Sequence, residues 1–87
     1  MATETTEVKN CEFAHLLTKR IFVMCLNYFY VGTLVEVHEQ SIGLADASLV
    51  YETGKWDASQ WADAQRLPFA VLRIRRTHIE AYAESNK

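Results

Sequence analysis

The sequence is poor in residues that interrupt or cross-link a chain. One proline and three glycines among 87 residues exclude a Pro- or Gly-rich linker, and 49% hydrophobic with 23% charged residues is the composition of an ordered domain. Two cysteines, Cys11 and Cys25, allow at most one bridge and form neither a Cys-x-x-Cys pair nor a Cys/His ligand cluster. Both read as reduced, buried, small apolar side chains. The longest apolar run, residues 21–26, falls far short of the ~20 residues that span a bilayer. Residues 1–9 are polar and acidic, without the apolar segment of a secretory signal. A soluble, cytoplasmic protein with no membrane partner is expected. Net charge is also small: 9 Lys+Arg against 11 Asp+Glu leave −2, so a polyanion could be held only by local clustering.

Signatures of catalysis are missing as well. There is no His-Glu-x-x-His, no Gly-x-Ser-x-Gly and no phosphate-cradling glycine loop, and His15, His38 and His78 fall on different elements. Asp57 and Asp63 lie in a polar stretch and read as solubilising. The chain is therefore expected to be no enzyme, with no metal, cofactor or small-molecule substrate.

What the chain does have is apolar periodicity. Val8, Cys11, Phe13, Ala14, Leu16 and Leu17 recur at roughly helical spacing, predicting a short helix over residues 7–17 with Lys19 and Arg20 at its end, as the macrodipole prefers. Residues 21–26 and 28–38 read as two strands meeting at a tight turn at Asn27. Gly32, midway along the second, marks a sharp bend or bulge. A third strand follows over residues 42–51. Residues 52–68 break the pattern and read as one long insertion, with a brief helical turn near Asp57 and with Trp56 and Trp61 as its packing anchors. The segment 69–75 alternates, Leu72 and Ile74 opposing Val71, Arg73 and Arg75. A fifth strand then sets Ile79 and Ala81 against His78, Glu80 and Tyr82.

A helix and five antiparallel strands in so short a chain close most economically into a small, mainly β, strongly bent, partly open barrel. The expected organisation is a leader at 1–6, a single barrel domain at 7–84 with its insertion at about 52–68, and a tail at 85–87. A domain of this size removes only about 60–65% of its unfolded surface from water, and residues 21–31 are apolar on both faces. The surplus points to burial against a second copy of the chain. Edge strands of an open barrel invite pairing, and repeated pairing closes a homo-oligomeric ring if the rotation suits.

The order helix then five strands, with Tyr30, Gly32, Leu34, the loop 38–41, Ile42-Gly43-Leu44 and Asp46-Ala47, resembles the first motif of Sm-like (LSm-type) proteins. Ile74-Arg75-Arg76 is similar to the turn of their second motif. Gly43 stands where the family usually has Asn, and Arg76 where it has Gly, as in a divergent, bacterial or phage-type member. The resemblance implies a ring that binds single-stranded RNA between two pore-facing loops, with His38, Glu39, Gln40, Ser41, Gly43, Arg75, Arg76 and His78 as the contacting residues. Independently of it, Arg66, Arg73, Arg75 and Arg76 form the one basic concentration, in a stretch without Asp or Glu. Arg73 and Arg75 also read as a solvated face or as partners of Glu36 and Glu80. The alternative function is a structural or protein-interaction ring without RNA, and after it an isolated SH3-like barrel that binds a peptide.

Overall fold

The computed structural model describes residues 13–87. Alternation along β1 (Arg20–Cys25) sends Ile21, Val23 and Cys25 to one side and Phe22 and Met24 to the other. β2 (Phe29–Val37) returns beside it, pairing Ile21 with Gly32 and Met24 with Phe29, and β3 (Ser41–Glu52) returns beside β2. β4 (Asp63–Arg66) and β5 (Leu72–Arg75) both pair with β3, β4 along its second half and β5 along its first. A single 3-10 turn at Arg76–His78 leads into β6 (Ile79–Glu84), which comes back to β1. The sheet runs β4-β3-β2-β1-β6, with β5 continuing beyond β4 on the same edge of β3.

This is the expected mainly β, bent antiparallel sheet, with six strands where five were predicted. The additional strand is β4, which lies inside the segment read as an insertion. β4 and β5 are two halves of one return strand, interrupted at residues 67–71. Arg66 faces Ser48 and Leu72 faces Leu44, so five residues of the return oppose three of β3. Pro68, which has no N–H to give to the ladder, sits in the interruption. The predicted helical turn near Asp57 is a simple turn closed by the Ala58 N–H on the Lys55 carbonyl, at 3.1 Å.

Of the predicted helix at 7–17, residues 7–12 lie outside the described residues, as do Cys11 and the leader. Within the described residues Phe13 and Ala14 are helical and the chain then turns, with Leu16 and Leu17 N–H groups reaching back three residues. Thr18, at φ 71°, reverses the direction. Its N–H and the Lys19 carbonyl both bond Leu34, which fixes this turn across the open end of the barrel. Phe13 and Leu16 are thereby buried against Ile21, Val23, Leu34, Ile42, Leu44, Ala47 and Ile74, the main core.

The bend that was assigned to Gly32 has two parts. Between the pairs Val31↔Ser48 and Thr33↔Ala45, Gly32 alone faces both Asp46 and Ala47. The bulge residue is Asp46, at φ 52°, a left-handed conformation that aspartate tolerates better than most residues. Gly32 supplies the room: a Cβ there would sit 2.9 Å from Leu44 Cβ and 3.2 Å from the Ala45 carbonyl oxygen. Asp46 is held by Arg20, whose Nη1 donates to its carbonyl at 2.8 Å, and by Arg66, whose Nε donates to its carboxylate at 2.6 Å.

Part of the apolar surplus of residues 21–31 is covered within the chain: Phe22, Val31 and Val50 form a second cluster, against which Met24 and Trp61 of the insertion pack, the Trp61 ring stacking on Phe22 at 4.9 Å between centroids. Leu26, Tyr28 and Phe29 of the same run are exposed. One further expectation is corrected. On β6, Tyr82 rather than Ala81 shares the core side with Ile79, because a register shift between Met24 and Cys25 reverses the alternation. Cys25 is buried with a free thiol, as expected, and burial followed by the Glu80 charge pushes that thiol above its usual range.

Gly32→Ala forces its methyl group into the β3 backbone. It is expected to cost about 1–3 kcal/mol in urea unfolding, whereas Gly54→Ala, in the exposed insertion, is strained at φ 70° but leaves the barrel intact.

Candidate nucleic-acid interface

Ser41 opens β3 opposite Arg75, the last residue of β5, so the turn before β3 and the turn after β5 emerge side by side. Arg76 joins them. Its N–H donates to the Gln40 carbonyl at 2.8 Å, and its Nη1 donates to the His38 carbonyl at 2.9 Å and, more weakly, to that of Glu39 at 3.4 Å. The guanidinium also lies 4.9 Å over the Phe13 ring. Thus Arg75 and Arg76 are brought beside His38, Glu39, Gln40 and Ser41, with Arg76 as the brace, while His78 ends the 3-10 turn that follows.

Gly43 stands apart from this rim. It pairs with Arg73 inside the β3–β5 ladder, and a Cβ would meet Val71 Cγ1 at 2.8 Å and Glu36 Cβ at 3.0 Å. Its requirement is therefore steric: only a hydrogen fits where β2, β3 and the chain entering β5 converge.

The arginines divide by role. Arg73 and Arg75 alternate with the buried Ile74 and project outward, as the alternation predicted. Arg73 grips Glu36 with two parallel bonds, Nε to Oε1 at 3.0 Å and Nη2 to Oε2 at 3.1 Å. His38 Nε2 donates to the same Oε1 at 3.1 Å. The hydrogen bonds from Arg73, and after them that from His38, hold the Glu36 carboxyl below its ordinary value of 4.5. Arg66 is likewise taken, by Asp46. Arg75 makes no ion pair and no side-chain hydrogen bond to a described residue. The four arginines thus resolve into two ion-paired groups, one brace and one charge without an ion-pair partner among the described residues.

Arg75 and His78 line an open groove of about 470 Å³ at the barrel mouth, between β5 and the β1–β2 turn. Its other walls include Asn27, Tyr28, Tyr30 and Arg73. The Tyr28 ring is half exposed and lies 6.4 Å from that of Tyr30. Burial, then the Cys25 and Tyr28 charges, push the Tyr30 phenol above its usual range, so it stays a proton donor. An aromatic face, an unpaired guanidinium, an imidazole and a side-chain amide in one groove suit a planar, anionic, hydrogen-bonding ligand. Asn27 and Tyr28 were not among the predicted site residues. A tyrosine beside a turn asparagine was the available signal, and their position opposite β5 depends on the barrel closing.

Among the described residues no helix is long and apolar enough to cross a membrane, and no group of three or more His, Cys, Asp or Glu side chains is placed to hold a metal ion. No family model matches the chain, and no curated protein matches it. Among solved structures the chain is similar in fold to the Sm protein of Pyrococcus abyssii, solved in complex with a uridine heptamer, with a TM-score of 0.60 over 86% of this chain and 94% of that one, at 17% identity. The fold is Sm-like.

A carboxyl whose folded value lies below its unfolded one adds stability above the unfolded value and loses that contribution as pH falls through the folded one. The stability margin of the wild type over Glu36→Gln is therefore expected to be constant near neutrality and to close below the ordinary value of 4.5. Urea melts of both proteins from neutral pH downward measure that margin, and a gap persisting in acid would show that Glu36 acts through something other than its charge.

Proposed function

We propose that this chain is a non-catalytic, RNA-binding Sm-like protein that assembles into a homo-oligomeric ring and holds single-stranded RNA at the rim formed by residues 38–41 and 75–78. The observation that carries this reading is the Arg76 brace, which ties the two loops into one surface and leaves Arg75 and His78 turned to the barrel-mouth groove with Tyr28. A base stacks on Tyr28, Arg75 meets the phosphate, and His38, Glu39, Gln40 and Ser41 offer base-edge hydrogen bonds. The solved Sm protein with its uridine heptamer supports a ligand of this class.

Assembly follows from the sheet edges. The outer edges of β6 on one side and of β4 and β5 on the other have no strand partner among the described residues. A neighbour's β6 laid along β4 or β5 satisfies both edges with one contact, and its repetition closes a ring. Ring symmetry then multiplies Arg75, which has no ion-pair partner among the described residues, offsetting the net charge of −2. The ion pairs that neutralise Arg66 and Arg73 favour a second reading, a protein-interaction ring that binds no RNA.

Light scattering behind a sizing column is expected to give a mass several times 10.0 kDa. Titration of labelled oligo-U and oligo-A at two salt concentrations is expected to show binding that salt weakens. Arg75→Ala, which leaves the brace in place, should weaken it roughly fivefold or more and lower the salt slope by about one for each phosphate left without its guanidinium. Arg76→Ala disturbs the positions of both loops and is expected to weaken binding further. A monomer would refute the ring, and a ring without binding at low salt would select the second reading.

A further inference from the structure

The groove on the opposite, outer face of β1 holds a site of different chemistry. The insertion is pinched at its neck, where the Ala62 N–H reaches the Thr53 carbonyl at 3.4 Å and a Cβ at Gly54 would lie 3.0 Å from Ala62 Cβ. The loop beyond the neck folds over Phe22. Trp61 stacks on that ring, Trp56 meets both rings edge-on, and an open groove of about 640 Å³ runs between the loop and the end of the chain. At one point of this groove the carbonyls of Lys55, Trp56 and Ala58 converge. They accept from one ammonium group, Lys87 Nζ, at 3.3, 3.1 and 2.9 Å, and the same nitrogen lies 4.4 Å over the centre of the Trp61 ring.

A primary ammonium has three N–H donors and no acceptor. Three carbonyls and one aromatic face match that inventory in number and in sign, and they match no anion or neutral amide. The carbonyls belong to a single short turn, closed by the Ala58 N–H on the Lys55 carbonyl at 3.1 Å, inside a loop joined at its neck by the Ala62–Thr53 bond. The buried Trp61 Nε1 has no acceptor among the described residues, so the indole is positioned by its ring contacts. Beside the cradle the groove is walled by Phe22 and Met24, an apolar lane for an aliphatic stem, with Asp57 at its margin.

We infer that the turn at residues 55–58 with Trp61 is a recognition site for a primary alkylammonium group such as a lysine side chain of a partner protein, and that Lys87 occupies it as an internal competitor. A ligand binds the open fraction of the site only, so its apparent affinity in the native chain is reduced by the fraction of time Lys87 is docked. The site lies across β1 from the barrel-mouth groove and does not rest on RNA binding.

Both tryptophans of the chain, Trp56 and Trp61, line this groove, so tryptophan emission reads it directly. In Lys87→Met, Nα-acetyl-lysine methylamide is expected to give a saturable emission change with an affinity at least about tenfold higher than in the wild type. The norleucine analogue lacks the charge and the Nζ-trimethyl-lysine analogue lacks the N–H donors, and each is expected to bind at least about tenfold more weakly. Equal binding of the norleucine analogue, no saturable change in a folded Lys87→Met, or equal affinity in wild type and variant would overturn the inference. If Lys87→Met does not fold, the wild type still decides: the 15N-detected side-chain ammonium of Lys87 is expected to be protected from exchange and to lose that protection on adding the lysine amide. An unprotected Lys87 ammonium would refute it.

Discussion

A strand of twelve residues can face the inside of a small barrel along its whole length only if it bends, and only if its neighbour follows the bend without clashing. In this chain both conditions meet at one point, where Asp46 turns left-handed and Gly32 lets β2 approach to within van der Waals contact. Everything downstream follows that geometry. The first half of β3 is turned toward β5, the second half toward β4, and the opening of β3 is brought beside the turn after β5. Arg20 and Arg66 converge on Asp46 from β1 and β4, so three strands are tied to the residue that makes the bend. Such exposed pairs add little each, and their contribution is directional: they fix which way the corner points.

The same economy governs the charges at the rim. Glu36 takes two hydrogen bonds from Arg73 and one from His38, so part of the charge at this rim is already compensated within the chain. Arg76 spends its donors on the exposed backbone carbonyls of His38 and Glu39, which joins the β2–β3 loop to the turn after β5. An arginine-rich run in a sequence is thus a poor measure of surface potential. What counts is how many of its members the fold has already engaged, and in the segment from Arg66 to Arg76 the fold engages three of the four.

Much of this was legible in the residues. Alternation placed Ile74 inward with Arg73 and Arg75 outward, the apolar runs placed β1 and β2, and the glycine between Val31 and Thr33 marked the bend. The loops around His38 and Arg76 were expected to meet, and they do. The misses have physical causes. Residues 63–66 carry no apolar face, and all four are exposed, so only pairing with β3 makes them a strand. The reversal on β6 comes from a register shift against β1, which leaves no trace in period-two counting. The apolar surplus of residues 21–31 was seen, but nothing local in the sequence says that Trp61 returns from thirty-nine positions away to stack on Phe22.

The interruption at Pro68 separates two kinds of edge. β5 is anchored by the fully buried Ile42 and Leu44 of β3 opposite it and by its own Ile74, whereas β4 lies on the outer half of β3 with no buried residue of its own. β4 is thus held by its ladder to β3 and by the Arg66–Asp46 pair, and the insertion it closes is held by the packing of Trp61 on Phe22, so this edge depends on contacts made far away along the chain.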